Sequence, residues 1–295
     1  MLASIIGNYL VTNGSITTEQ QTMLMDELKM VRVKLGLIAV AEGMMTKEQA
    51  DKVNHIQAIK DMRFGDIAVS EGFLTDAQVQ TLLKLQGNPY LSLAQALENL
   101  NIMNIDKLNE CLKAYANDYG ISTSGIEDLK SDDIERILPL FIPADAAEYN
   151  EIACIALKTI MRCVDSDVYP STATLADKLD VNKIALQEID GTMPVTLGLA
   201  GADNDLLSIA SIFGKEDFEC VDMDALDACA ELCNCINGLY ASALSQKGVT
   251  MELLAPEFSD DTNGITGDEM FILPITVCGQ TSNLVISIGS KITIA

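Results

Sequence analysis

The segment DALDACAELCNCINGLYASALSQKG, Asp224 to Gly248, decides how the second half of this 295-residue chain is read. It carries helix punctuation at both ends: Asp222 or Asp224 can cap its start, Lys247 sits in its last turn, and Gly248 ends it. Leu226, Ala230, Cys233, Asn237 and Tyr240 follow one line at helical spacing, while Asp227, Glu231 and Asn234 follow another. The first line predicts a buried face. The second is polar throughout and predicts a face toward solvent or a partner. Cys229, Cys233 and Cys235 raise three readings: a metal or redox site, an ordinary buried helix, or a helix whose polar side does chemistry. Cys229 and Cys233 share a face, Cys235 points elsewhere, His55 lies in the other half, and no second CxxC pair completes a tetrahedral site. The expectation is small buried thiols and no metal site.

Around this helix the pattern is mixed. DAAEYNEIACIALKTIMRCV, from Asp145 to Val164, has helical spacing. After Lys183, KIALQEI alternates, Gly191 turns the chain and MPVTLGLAG returns; NDLLSIASIFG then predicts a short helix. TMELLAPEF, EMFILPITVCG and TSNLVISIGS read as strands, the last two neighbours joined at Gly279 to Thr281. Two long helices against an antiparallel-rich sheet make residues 144–295 an α+β domain.

The first half is organised by a repeat. IIGNYLVTNGSITTEQQTML, KLGLIAVAEGMMTKEQADKV, RFGDIAVSEGFLTDAQVQTL and SLAQALENLNIMNIDKLNEC begin at Ile5, Lys34, Arg63 and Ser92, a period of 29 residues. Gly14, Gly43 and Gly72, with Asn101 in the fourth copy, can supply the positive φ that ends a short helix. Thr17, Thr46 and Thr75 are each followed three residues on by Gln20, Gln49 or Gln78, a capping box that opens a second helix. Residues 1–118 are therefore expected to form an all-α repeat domain with a deviant last copy as a cap. YGISTSGIEDLKS, from Tyr119, suggests a linker over residues 119–143.

Composition bounds the function. With 48% apolar and 21% charged residues the chain is globular, and its length suits two domains. The formal charge of −24 is uneven: residues 1–118 hold ten basic and fourteen acidic residues, net −4, and the remainder nine and twenty-nine, net −20. Such a second half repels polyanions, which argues against DNA, RNA or an anionic membrane surface as its partner. No apolar run reaches the roughly 18 residues that insert into a bilayer, and MLASIIGNYLVTNG lacks a basic start to a signal peptide, so a cytoplasmic location with reduced cysteines is expected.

Two family resemblances sharpen these readings. DACAELCN has the form D-x3-E-x2-N, followed after 21 residues by Pro256. With the order of elements from Asp145 to Ala295, this resembles the signature of the CheC, CheX and FliY chemotaxis phosphatases, which remove phosphate from the response regulator CheY. EYNEIACIALK lacks the signature, so a single active helix, the CheX-like arrangement, is implied. The resemblance implies that Asn234 orients the attacking water, that Glu231 pairs with the regulator's active-site lysine, and that Asp227 lies at the docking face. An amide can place water without titrating, as glutamine does in GTPases. The chain then needs no cofactor of its own, since Mg²⁺ comes with the phosphorylated CheY-type regulator, and a homodimer through the sheet is implied. The alternative is a non-enzymatic adaptor that binds a regulator or other protein without hydrolysis.

In the first half, Lys34 to Gln57 and Arg63 to Gln86 are 24-residue segments separated by five residues. They resemble the tandem cyclic di-GMP-binding motif of the N-terminal domain of MshE-type secretion ATPases. That resemblance implies Lys34 and Arg63 as guanine contacts, with Leu35 and Phe64 beside them, Gly36, Gly65, Gly43 and Gly72 for close approach, and Gln57 and Gln86. The structural alternative is a helical stack in which these residues only pack.

Overall fold

The computed structural model describes residues 1–60 and 62–295, which divide into two compact units, Leu2–Asp133 and Ile134–Ala295. In the first, helices alternate around glycine or asparagine turns: α1 (Leu2–Thr12), α2 (Thr18–Leu28), α3 (Leu35–Ala41), α4 (Lys47–Ile59), α5 (Phe64–Ser70), α6 (Asp76–Lys84), α7 (Pro89–Asn99), α8 (Ile105–Asp118) and α9 (Thr123–Ser131). The repeat signals work as local physics requires. Thr17, Thr46 and Thr75 are N-caps of α2, α4 and α6, each accepting from the backbone N–H of the glutamine three residues on, whose side chain returns a bond to the threonine N–H. Gly14, Gly43, Gly72 and Asn101 have φ of 73°, 65°, 72° and 55°, the left-handed conformation that stops a helix. Ile6, Ile38, Ile67, Leu93, Leu24, Val53, Leu82 and Leu112 are buried, so each helix pair contributes to one stacked core.

The segment expected as a linker, 119–143, is structured. Ser122 caps α9 by accepting from Gly125 N–H at 3.2 Å, Leu129 is fully buried, and α9 packs on α7 and α8. The Ser/Thr/Gly cluster marks a helix start rather than a flexible join. The division between units falls at Asp133, and α10 (Ile134–Ile137) with a 3₁₀ turn at Leu138–Leu140 opens the second unit.

That unit continues through a 3₁₀ stretch, Ala144–Tyr149, into α11 (Asn150–Cys163), then β1 (Tyr169–Pro170), β2 (Thr174–Leu179), β3 (Lys183–Gly191), β4 (Val195–Gly201), α12 (Leu207–Gly214), α13 (Met223–Gln246), β5 (Met251–Leu253), β6 (Glu257–Ser259), β7 (Ile265–Val277), β8 (Gln280–Ile288) and β9 (Thr293–Ile294). The sheet runs β1-β7-β8-β4-β3-β5, with β2 and β9 also on β7 and β6 on β3; every pairing is antiparallel. The β7–β8 turn is Cys278–Gly279, with φ of 50° and 79°, one residue earlier than the sequence suggests and suited to a two-residue hairpin turn.

Both sheet faces are buried. Toward the helices point Ala185, Gln187 and Ile189 of β3, Leu197 and Leu199 of β4, Leu284 and Ile286 of β8, and Phe271 of β7. Tyr149, just before α11, stacks on Phe271 at 4.8 Å between ring centroids. On the other face Ile184, Leu186, Ala200, Met270, Ile272 and Val285 form a cluster covered by Ala176, Leu179, Ile292 and Ile294. Gly198 of β4 is required here: a Cβ would lie 2.2 Å from Leu186 Cδ2 and 2.5 Å from the Ala185 carbonyl oxygen.

Candidate functional site

Helix α13 positions the candidate site. Asp222 is its N-cap, accepting from Ala225 N–H at 3.0 Å, and Gly248 follows its end at φ 81°. The apolar line behaves as its spacing demands: Leu226, Ala230, Cys233 and Asn237 are fully buried, and Tyr240 nearly so, with α13 packed on β3 and β4. Lys247 is held by Glu151 of α11 at 2.6 and 2.7 Å, which pins the far end of α13 beside α11.

The second line emerges at the surface. Asp227 and Glu231 are exposed and Asn234 is half-buried. Asn234 Nδ2 lies 3.4 Å from Glu231 Oε2, a long bond that places a carboxylate and an amide side by side on one turn. On its inner side, Asn234 Oδ1 accepts from Gln187 Nε2 at 2.9 Å, and the same Nε2 donates to the Leu254 carbonyl at 2.9 Å. Leu254 N–H in turn donates to the Glu188 carbonyl at 2.9 Å. The segment between β5 and β6, which holds Leu254 and Pro256, is thereby tied beside Asn234. Buried Asn237 donates through Nδ2 to Gln187 O at 3.2 Å and to Gln187 Oε1 at 3.0 Å.

Gln187 and Asn237 were not singled out by sequence reasoning as functional. Their signal was present: Gln187 is an amide in the apolar row of an alternating strand, and Asn237 an amide in the apolar line of a helix. A buried amide is costly unless bonded, so a pair on two neighbouring elements predicts a connection.

The cysteines are packing atoms. Cys229 and Cys233 are free and fully buried, and Cys233 Sγ approaches the Ala185 carbonyl at 3.8 Å. Burial pushes the Cys229 thiol up to about 12 and raises that of Cys233 as well, the neutral form of an inert thiol. Cys235 is exposed on a different face. Among the described residues, no group of three or more His, Cys, Asp and Glu side chains is arranged to hold a metal ion.

In the first unit, Lys34 and Arg63 occupy equivalent N-cap positions on α3 and α5, both exposed. The glycines after them are filled from within the protein. A Cβ at Gly36 would meet the Phe64 ring at 3.1 Å, and one at Gly65 would meet Val79 Cγ1 at 2.8 Å, with Leu35 Cδ2 at 3.7 Å. Gly36 and Gly65 thus admit side chains of neighbouring helices, and Leu35 and Phe64 are buried in that packing. Gly43 and Gly72 are exposed turn residues with open space beside them. Gln57 Nε2 donates to the Met62 carbonyl at 3.2 Å and Gln86 Nε2 to the Val33 carbonyl at 3.1 Å, bracing the turns that precede Arg63 and Lys34. A cavity of about 280 Å³ is lined by Lys34, Gly36, Lys47, Asn54, Asp51, Glu98 and Asp106, among others. It contains neither Arg63 nor Gly65.

Residues 184–276, from β3 through α12 and α13 to β7, match the family model described as chemotaxis phosphatase CheX. The second unit therefore contains a CheX-like domain. Among solved structures, a CheC-like superfamily protein from Shewanella sp. PV-4 is 19% identical over 47% of this chain and 95% of its own, with a TM-score of 0.42. Chemotaxis protein CheX from Desulfovibrio desulfuricans is 14% identical over 48% of this chain and 97% of its own, with a TM-score of 0.41. A CheX–CheY–BeF3–Mg²⁺ complex from Borrelia burgdorferi contains a chain that is 14% identical over 48% of this chain and 95% of its own, with a TM-score of 0.36. A comparison with curated proteins gave no match. Among the described residues, no helix is long and apolar enough to cross a membrane.

Proposed function

We propose that the second unit is a phosphatase acting on the aspartyl phosphate of a CheY-type response regulator. The observation that carries this reading is the pairing of Glu231 with Asn234 on the outward turn of α13, inside the segment that matches the CheX family. An aspartyl phosphate is a mixed anhydride that hydrolyses unaided, so a catalyst has only to hold water in line with phosphorus. Asn234 serves as that group because its amide keeps one protonation state across the physiological range. Glu231 supplies a carboxylate for a cation on the regulator, and exposed Asp227, four residues before it, extends the negative docking face. Mg²⁺ enters with the regulator. A regulator labelled on its aspartate, incubated with native protein and with Asn234→Ala, tests the reading through the rate of phosphate release.

A homodimer belongs to this proposal too. The chain's own Ala176, Leu179, Ile292 and Ile294 cover the second sheet face, so a dimer would join strand edges rather than that face.

A second reading concerns the first unit: a cyclic dinucleotide held by Lys34 and Arg63, exposed at equivalent helix starts, and regulating the phosphatase. Guanine edges are bonded well by a guanidinium and less specifically by an ammonium, so Arg63 would carry more of the affinity. Asp51, Glu98 and Asp106 around the Lys34 cavity oppose a ligand with two phosphates.

A further inference from the structure

The amide of Gln187 has a direction that the backbone dictates. Its side chain is 3% exposed and opposes apolar Leu197 across the β3–β4 ladder. Leaving such a group unbonded in the interior carries a desolvation penalty, so its bonds indicate why it is kept. Two partners are backbone carbonyls, which only accept. Leu254 O takes Gln187 Nε2, and Gln187 O takes Asn237 Nδ2. Turning Gln187 over would set its oxygen against the Leu254 carbonyl, and turning Asn237 over would set its oxygen against the Gln187 carbonyl. Among the described residues, Asn237 Oδ1 has no hydrogen-bond partner. The second bond of Gln187 Nε2 then requires an acceptor, so Asn234 turns Oδ1 inward and Nδ2 outward toward Glu231.

We infer that Gln187 is a positioning residue that sets the polarity of the Asn234 amide, so that α13 presents an N–H donor to the water at the docked phosphoryl group, beside the Glu231 carboxylate that meets the regulator's cation. This rests on the phosphatase reading above. In the step served, water oxygen bonds to phosphorus and the bond from phosphorus to the regulator's aspartate oxygen breaks. The products are inorganic phosphate and a free carboxylate, and the water proton passes to solvent. Gln187 takes no part in these bond changes; it prevents Asn234 from rotating to offer its oxygen. The arrangement also explains why the β5–β6 segment is anchored through Leu254: the same Nε2 that orients Asn234 fixes the wall beside it.

The test follows phosphate loss from a CheY-type regulator phosphorylated on its aspartate, using the full chain. Affinity is measured separately with the BeF₃⁻-treated regulator. Gln187→Leu should lower the saturating rate at least tenfold while regulator affinity stays within about twofold. Gln187→Glu places a carboxyl in a buried site, where desolvation raises it well above the ordinary range; the variant should lose rate at about pH 8, where a carboxylate has no proton to donate, and recover relative to native protein toward about pH 6 as the carboxyl protonates. A native rate in Gln187→Leu, or a pH-independent ratio for Gln187→Glu, would overturn the inference while the phosphatase reading stood. If native protein released no phosphate, the phosphatase reading would fail. The positioning claim would then be decided by the side-chain amide NMR signals of Asn234, assigned with Asn234→Asp. Those signals should move and sharpen toward free rotation in Gln187→Leu with the circular dichroism unchanged; unmoved signals would refute the orientation itself.

Discussion

Two glycines in the CheX-like unit make opposite demands on the same methyl group. Gly238 sits inside the 24-residue helix α13, exposed, and apart from its chain neighbours and the helix's own backbone no atom of the described residues lies within 4 Å of the place a Cβ would occupy. Gly198 sits in β4, where a Cβ would lie 2.5 Å from a backbone oxygen that cannot move without breaking the β3–β4 ladder. Gly238→Ala should stabilise the unit by about 0.5–1 kcal/mol, the helical cost of glycine relative to alanine. Gly198→Ala should destabilise it by about 3 kcal/mol, the upper end for an overpacked site. With a urea slope of roughly 2 kcal/mol/M, the unfolding midpoints should move by about +0.3 to +0.5 M and about −1.5 M. Circular dichroism in urea reads both. Shifts of the same sign, or a neutral Gly198→Ala, would refute the packing argument. Gly238 also lies one turn beyond Asn234 on the polar line, so the added methyl enters the proposed docking surface, and the gain in stability should come with weaker binding of the regulator.

Cysteine alkylation separates packing from chemistry. Exposed Cys220 should label in the native protein, while buried Cys229 and Cys233 should stay unmodified until the chain unfolds, as read by peptide mass spectrometry. Cys278 is exposed, but partial burial and then the Asp165 carboxylate push its thiol up to about 11, so its labelling rate should still be climbing at about pH 10. For the first unit, the cyclic dinucleotide reading requires that titration of cyclic di-GMP against native and Arg63→Ala protein give binding that the substitution weakens at least tenfold. Equal binding by both, or none by the native chain, would leave Lys34 and Arg63 as solvent-facing helix caps.

The repeat was legible because each copy carries its own stop and start: glycine or asparagine at positive φ, then threonine and glutamine three apart, signals that act within a few residues. The two faces of α13 were legible for the same reason, since helical spacing alone separates Cys233 from Glu231. Long-range pairing was not. β2 lacks a clean alternation because its register on β7 shifts between Ala176 and Lys178, and β1 and β9 are two-residue strands that the edge of β7 organises. The 119–143 stretch was misread because Ser122 and Gly125 serve both caps and loops, and what decides is the burial of Leu129 against other helices. On α13 the helical spacing placed Glu231 and Asn234 on one outward face, where the structure has them side by side. The spacing did not supply the direction of the Asn234 amide, which depends on Leu254 and Gln187, remote in sequence from α13 or on another element.

If Asn234 places water for hydrolysis of a regulator's aspartyl phosphate, single-turnover phosphate release with native and Asn234→Ala protein reads that role without interference from regulator exchange. Native protein should accelerate release above the regulator's own decay, and Asn234→Ala should fall at least tenfold, toward that spontaneous rate, with unchanged affinity for the BeF₃⁻-treated regulator. Identical rates for the two proteins would contradict that role, and binding without acceleration by native protein would make the domain an adaptor.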